Sequence, residues 1–228
     1  PLFPYTTRFR SLQEEDAKVR FAAVYALSQR EGAVDAVPAL IQALQDEDAK
    51  VRFATAYALG EIGEGAVDAV PALIQALQDE HASVRSTAAG ALGGMGAEAI
   101  DAVPALIQVF QDEDVDVRRR VVQALGGIGS ENAVPVLIRA FQDQDSRVRV
   151  AAAGALGRIG TPEAIKVAVP ALMQLLQDQD VNVCLRAADA LRQIGTPEAI
   201  KVAMPALIHL LQDQDVNVRR HAAGALGQ

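Results

Sequence analysis

QDEDAKVRFATAYALGEIG, residues 45–63, returns 33 residues later as QDEHASVRSTAAGALGGMG, residues 78–96. The same phrase recurs along the chain at Val19, Val51, Val84, Val117, Val148, Val183 and Val218, spaced by 32, 33, 33, 31, 35 and 35 residues. A second register is marked by Pro38, Pro71, Pro104, Pro135, Pro170 and Pro205. Each unit therefore holds two segments, one like AVDAVPALIQALQD and one like DAKVRFATAYALGEIG. A fixed period of this length is the mark of a repeat architecture and overrides any domain count based on length.

Both segments read as helices. Val37, Leu40, Ile41 and Leu44 fall at spacings of three and four, and so do Val51, Ala54, Ala58, Leu59 and Ile62, which is the apolar stripe of an amphipathic helix. Asp16, Asp48, Asp114, Asp145, Asp180 and Asp215 stand three residues before the Val, where a carboxylate can cap free backbone N–H groups. Gly63, Gly96, Gly129, Gly160 and Gly195 are expected to stop the second helix in a left-handed conformation. Thr161-Pro162-Glu163 and Thr196-Pro197-Glu198 order a cap, a first-turn proline and an acid. Pro170 and Pro205 then fall inside the first helix, where a bend is expected. One helix pair cannot bury its apolar face alone, but stacked pairs share a continuous core.

The first-helix proline, the turn Asp and the Val-Arg of the second helix resemble HEAT repeats, in particular the short bacterial version named after phycobilisome lyase. The resemblance covers roughly residues 12–228 and implies an all-α, right-handed α-solenoid of about seven stacked helix pairs. It also implies a ladder of hydrogen bonds joining turn Asp to second-helix Arg. By position the pairs would be Asp46 with Arg52, Asp79 with Arg85, Asp112 with Arg118, Asp143 with Arg149 and Asp213 with Arg219. Glu14 would stand beside Arg20, and Asp178 would lack a partner because Cys184 takes the Arg position.

Residues 1–11, PLFPYTTRFRS, carry Phe3, Tyr5 and Phe9 and show no repeat pattern. LFPYTT.FRS resembles the translation of a sequencing adapter, so a non-repeat tail, artefactual or disordered, is expected there. With no initial Met and with incomplete first and last units, the chain is expected to be a fragment of a longer one.

In HEAT-like proteins the second helices line a concave binding surface. Positions two and six after the Val lie on one exposed face. There Phe21 and Tyr25, then Phe53 and Tyr57, repeat an aromatic pair, whereas Arg119, Gln123, Arg158 and Arg220 lie on or beside the later part. An aromatic patch leading into a basic groove suits a peptide or protein segment with an apolar anchor and acidic residues. The alternative is that Phe21 and Phe53 pack between helices.

Composition narrows the other classes. Twenty-nine acidic against 21 basic side chains, a net charge of −8, disfavours nucleic acid, as does the lack of a Lys/Arg stripe. No apolar run approaches the roughly 18 residues of a membrane span. One cysteine, Cys184, forms no internal disulfide, and a reducing, cytoplasmic setting is expected. The His-Glu pairs of HEAT-like deoxyhypusine hydroxylases are absent, with only His81, His209 and His221 in the chain, and His81 stands at a capping position. The paired glycines of LGGMG and LGGIG follow no strand and precede no Lys, so they read as close packing rather than a phosphate loop. The expectation is thus a protein-interaction scaffold with no catalytic, metal or cofactor site. Bilin attachment or removal, implied by the family's name, is the second reading, and DNA binding the third.

Overall fold

A computed structural model describes residues 9–28 and 33–227, so residues 1–8 of the expected tail lie outside the described residues. Two compact units, Pro1–Ala124 and Leu125–Gln228, divide the chain. The described residues are helical throughout and include no strand.

The first unit alternates second and first helices: α1 (Ala17–Ser28), α2 (Val37–Ala43), α3 (Ala49–Ile62), α4 (Val70–Ala76), α5 (Ala82–Gly94) and α6 (Val103–Val109). α7 (Val115–Ile128) contains the boundary between the units. The second unit continues with α8 (Val134–Arg139), α9 (Ser146–Arg158), α10 (Pro162–Leu175), α11 (Val181–Ile194), α12 (Pro197–Leu210) and α13 (Val216–Leu226).

The first helices come in two forms. In α2, α4, α6 and α8 the repeat proline occupies the first turn, preceded by a 3-10 turn, so its missing N–H breaks no helical bond. In α10 and α12 a longer linker begins with Thr161 or Thr196, whose side chain accepts the N–H of Ala164 or Ala199. Each helix then runs continuously through Pro170 or Pro205. The two longer periods of 35 residues are thus spent on a capped extra turn.

Aspartate caps open the second helices. Asp48, Asp145, Asp180 and Asp215 each accept the N–H two residues ahead. His81 takes that position without capping and remains exposed. Gly63, Gly96, Gly129 and Gly195 adopt positive φ. Gly160 does not, contrary to expectation, because Ile159 ends α9 in extended backbone and leads straight into the next cap.

The core is made of short side chains. Val51, Ala58 and Leu59 of α3 and Leu40 and Leu73 of the first helices are almost fully buried. Successive second helices approach through glycine. A Cβ on Gly60 would lie 3.1 Å from Ala91 Cα, and one on Gly93 only 2.6 Å from Ala124 Cα. In the second unit Gly126 meets Ala155, and Gly157 meets Ala190, in the same way.

The Asp–Arg ladder exists, but its side-chain register is shifted by one repeat from the pairs named above. Arg52 Nη1 donates to the main-chain oxygens of Asp46 and Glu47 in its own turn. Its Nε and Nη2 instead reach the Asp79 carboxylate of the next turn at 2.6 and 2.9 Å. Arg20 binds Asp46, Arg85 binds Asp112 and Arg149 binds Asp178 in the same manner. Arg118 and Arg219 likewise donate Nη1 to the Asp112 and Asp213 oxygens of their own turns, and Asp143 accepts the Asp145 N–H. The guanidinium fork explains the geometry: one nitrogen closes the local turn while the other edge bridges to the next repeat. Beside Arg20 the contact is with the main-chain oxygen of Glu14, not its side chain.

Asp178 therefore has a partner, and the break falls one step later. The Cys184 thiol donates to Asp178 O at 3.2 Å, preserving the turn contact, but is too short to reach Asp213. Among the described residues no cation is paired with the Asp213 carboxylate, which accepts the Asp215 N–H at 2.8 Å. Cys184→Arg is expected to bind Asp213 and stabilise the second unit by about 1 kcal/mol. Thermal denaturation checks it, and an unchanged midpoint would show that the rung contributes little there.

Candidate interaction surface

Phe21 and Tyr25 project from α1, and Phe53 and Tyr57 from α3, with 40, 59, 39 and 49% of their surfaces exposed. The packing alternative for Phe21 and Phe53 fails because the helix contact is made by residues without bulk. Ala54, Ala58 and Gly60 take the inward face of α3, which leaves the rings outside.

Phe53 and Tyr57 form one wall of a groove of about 700 Å³ within the first unit. Ser86, Gly90 and Gly94 of α5 contribute small side chains to its lining, and Arg119 and Arg120 of α7 the far wall. The small residues that permit close helix approach also keep this surface shallow and open. Glu61 and Asp116 line it too, so two carboxylates stand against two guanidiniums. Arg119 is tied to Asp116 at 3.3 Å, and Arg120 Nη1 lies 3.5 Å from the Gln123 side chain. The groove is consequently aromatic and charge-balanced rather than basic.

The remaining two residues belong to the second unit. Arg158 lies across helix backbone with its outer surface exposed. Its Nε donates to Gly126 O at 3.4 Å, and a Cβ on Gly126 would come within 2.8 Å of its guanidinium. Burial of its inner side and the nearby charge of Arg186 lower its pKa, without threatening the charge of a guanidinium. Arg220 is exposed and donates to Asn217 Oδ1 at 3.3 Å. The expected basic end thus falls in a different compact unit from the aromatic groove.

Arg220 does line a second cleft, with Arg186, Arg192 and His221, which the spacing argument did not select. A signal was present in the sequence. Arg192 occupies the position that is Gly60, Gly93, Gly126 and Gly157 in other repeats.

Among the described residues no cluster of His, Cys, Asp and Glu could hold a metal ion. Burial, aided by the charge of Asp178, pushes the Cys184 thiol up and disfavours the nucleophilic thiolate. No helix of the described residues is long and apolar enough to cross a membrane.

The repeat motif, the paired helices and the arginine ladder define a helical-repeat scaffold. A family model for HEAT repeats matches residues 8–68, 37–116, 103–169 and 169–228, and the chain belongs to that family. An engineered protein of known structure is similar with a TM-score of 0.67 and 28% identity, over 99% of this chain and 68% of that one. The complex of CpcE and CpcF of phycocyanin lyase from Nostoc sp. PCC7120 is similar with a TM-score of 0.59 and 28% identity, over 100% of this chain and 95% of that one. A designed armadillo repeat protein, at 22% identity and a TM-score of 0.59, shares the fold. No curated relative matches the chain at a significant level.

Proposed function

We propose that the chain is a non-catalytic protein-interaction scaffold that seats a peptide or protein segment in the Phe53–Tyr57 groove. The observation that carries this reading is the exposed aromatic pair beside the small-residue surface of α5. Two rings held on one rigid helix offer large apolar area with little conformational freedom to lose on binding. Balanced charge along the groove favours a segment anchored by an aromatic or large aliphatic side chain, flanked by both a basic and an acidic residue.

Selection of displayed random peptides on the purified chain tests the reading. Enriched peptides should share an apolar anchor, and Phe53→Ala or Tyr57→Ala should weaken them by about tenfold or more, as expected for a buried aromatic anchor. Circular dichroism verifies that the variants fold. Failure to enrich any sequence, or affinity indifferent to both substitutions, would overturn it.

A second reading is favoured by the likeness to the CpcE–CpcF complex along the whole chain. Under it, this chain takes part in bilin attachment or removal on a phycobiliprotein together with a partner subunit. Co-expression with a bilin and an acceptor subunit separates the two, because only the lyase reading yields a coloured covalent product.

A further inference from the structure

We infer that the cleft between α11 and α13 binds a phosphate monoester. It lies where the glycine contact of α3, α5, α7 and α9 is replaced by a long cationic side chain. At the ends of α3, α5, α7 and α9 glycine lies against alanine of the next second helix, as Gly157 does against Ala190. In the sixth repeat Arg192 stands at the glycine position, and the facing residue is Ala225. A long side chain cannot be seated where a Cβ already lies at about 3 Å from backbone. The junction holds a cleft of about 430 Å³, lined by Arg192 and Ala225 themselves.

The same junction lacks its ladder rung, since Cys184 does not reach Asp213. Both contacts that clamp neighbouring repeats elsewhere are thus altered at one place. α11 and α13 remain joined by a core of Ala188, Leu207, Leu210, Val218 and Ala222. The opening therefore sits at the edge of a folded contact.

The lining determines what fits. Asp189 accepts from Arg186 Nη1 at 3.4 Å, Arg192 Nη2 at 3.2 Å and Gln193 Nε2 at 3.1 Å. This single carboxylate orients two guanidiniums on the α11 side. Arg220 lines the cleft from α13, so three guanidiniums border it. His221 is held through Nδ1 against Asn217 O at 2.8 Å, which leaves Nε2 as its other polar atom. A lining of guanidiniums suits a dianion, and guanidinium forks match the oxygen spacing of phosphate. Val150 and Leu185 supply an apolar wall for the organic part of the ester.

Calorimetric titration with phenyl phosphate at low salt tests the site, with benzoate as a singly charged control. Saturable binding stronger than that of benzoate is expected. Arg186→Ala and Arg220→Ala should each weaken it by about tenfold, the value of one charge-assisted hydrogen bond. Arg192→Gly restores the glycine contact of the other repeats. It should abolish binding while the thermal midpoint holds or rises, a combination that unfolding does not produce. Undetectable phenyl phosphate binding, or binding retained in Arg192→Gly, would overturn the inference. A phosphotyrosine peptide distinguishes the sources: tighter binding than phenyl phosphate indicates a phosphorylated side chain, weaker binding a free small molecule. The aromatic groove of the first unit plays no part, so loss of peptide binding there leaves this outcome untouched.

Discussion

Asp79→Ala is expected to destabilise the first unit by about 2 to 4 kcal/mol, the scale set by removing one member of a buried ion pair. The Arg52 and Asp79 side chains are 11 and 9% exposed, and the bond between them is bidentate. Removing the carboxylate leaves that edge of the guanidinium with only the exposed Glu80 carboxylate at 3.6 Å and deprives the His81 N–H of its acceptor. The loss stays below that of a wholly buried charge because Arg52 Nη1 keeps its two turn oxygens. Asp213→Ala is the internal control. Its carboxylate has the Asp215 N–H to hold and, among the described residues, no paired cation, so about 1 kcal/mol or less is expected. Guanidinium denaturation of both variants checks the contrast, and equal losses would show that the turn rather than the ladder sets the cost.

The same carboxylates make stability depend on pH. Burial of Asp79 acts to raise its pKa, but the hydrogen bonds from Arg52 and the His81 N–H and the neighbouring positive charge outweigh it, so the net shift is downward. Asp46 and Asp112 follow that pattern. For Asp178 the Arg149 hydrogen bond is itself the leading cause. A folded pKa below the unfolded value means that the contribution is complete above about pH 4 and drains away as pH falls through the folded pKa. The thermal midpoint should therefore drop on acidification below about pH 4, less steeply in Asp79→Ala.

What was legible in the sequence was local. Helix pairing, caps and the apolar stripe depend on spacings of two to four residues, and Asp48, Val51 and Leu59 stand where those spacings put them. The ladder register was not legible, because an Arg at a fixed offset from its own turn reaches a neighbour whose position only stacking sets. The proposed aromatic face had a physical reason already in the chain: small or branched aliphatic residues such as Val51, Ala54, Ala58 and Leu59 take the inward face, and Phe53 and Tyr57 fall on the other side. The groove of the first unit is charge-balanced for a reason equally present, since Asp116 stands one helical turn before Arg119.

Gly93→Ala is expected to destabilise the first unit although alanine is the better helix former. An added Cβ would lie 2.6 Å from Ala124 Cα and 3.0 Å from its Cβ, both rigid atoms of the facing helix. Forcing the helices apart costs about 1 to 3 kcal/mol by overpacking. The gain in helix propensity, about 1 kcal/mol, offsets only part of this. Gly160→Ala supplies the opposite case: no atom stands within 4 Å of the new Cβ, and its φ is not positive. There the substitution restricts the unfolded chain without straining the folded one, and a gain of about 0.4 to 1 kcal/mol is expected. Denaturation midpoints of opposite sign for the two variants would establish that glycine at the helix contact is required by packing distance. A stable Gly93→Ala would mean instead that neighbouring second helices can separate readily.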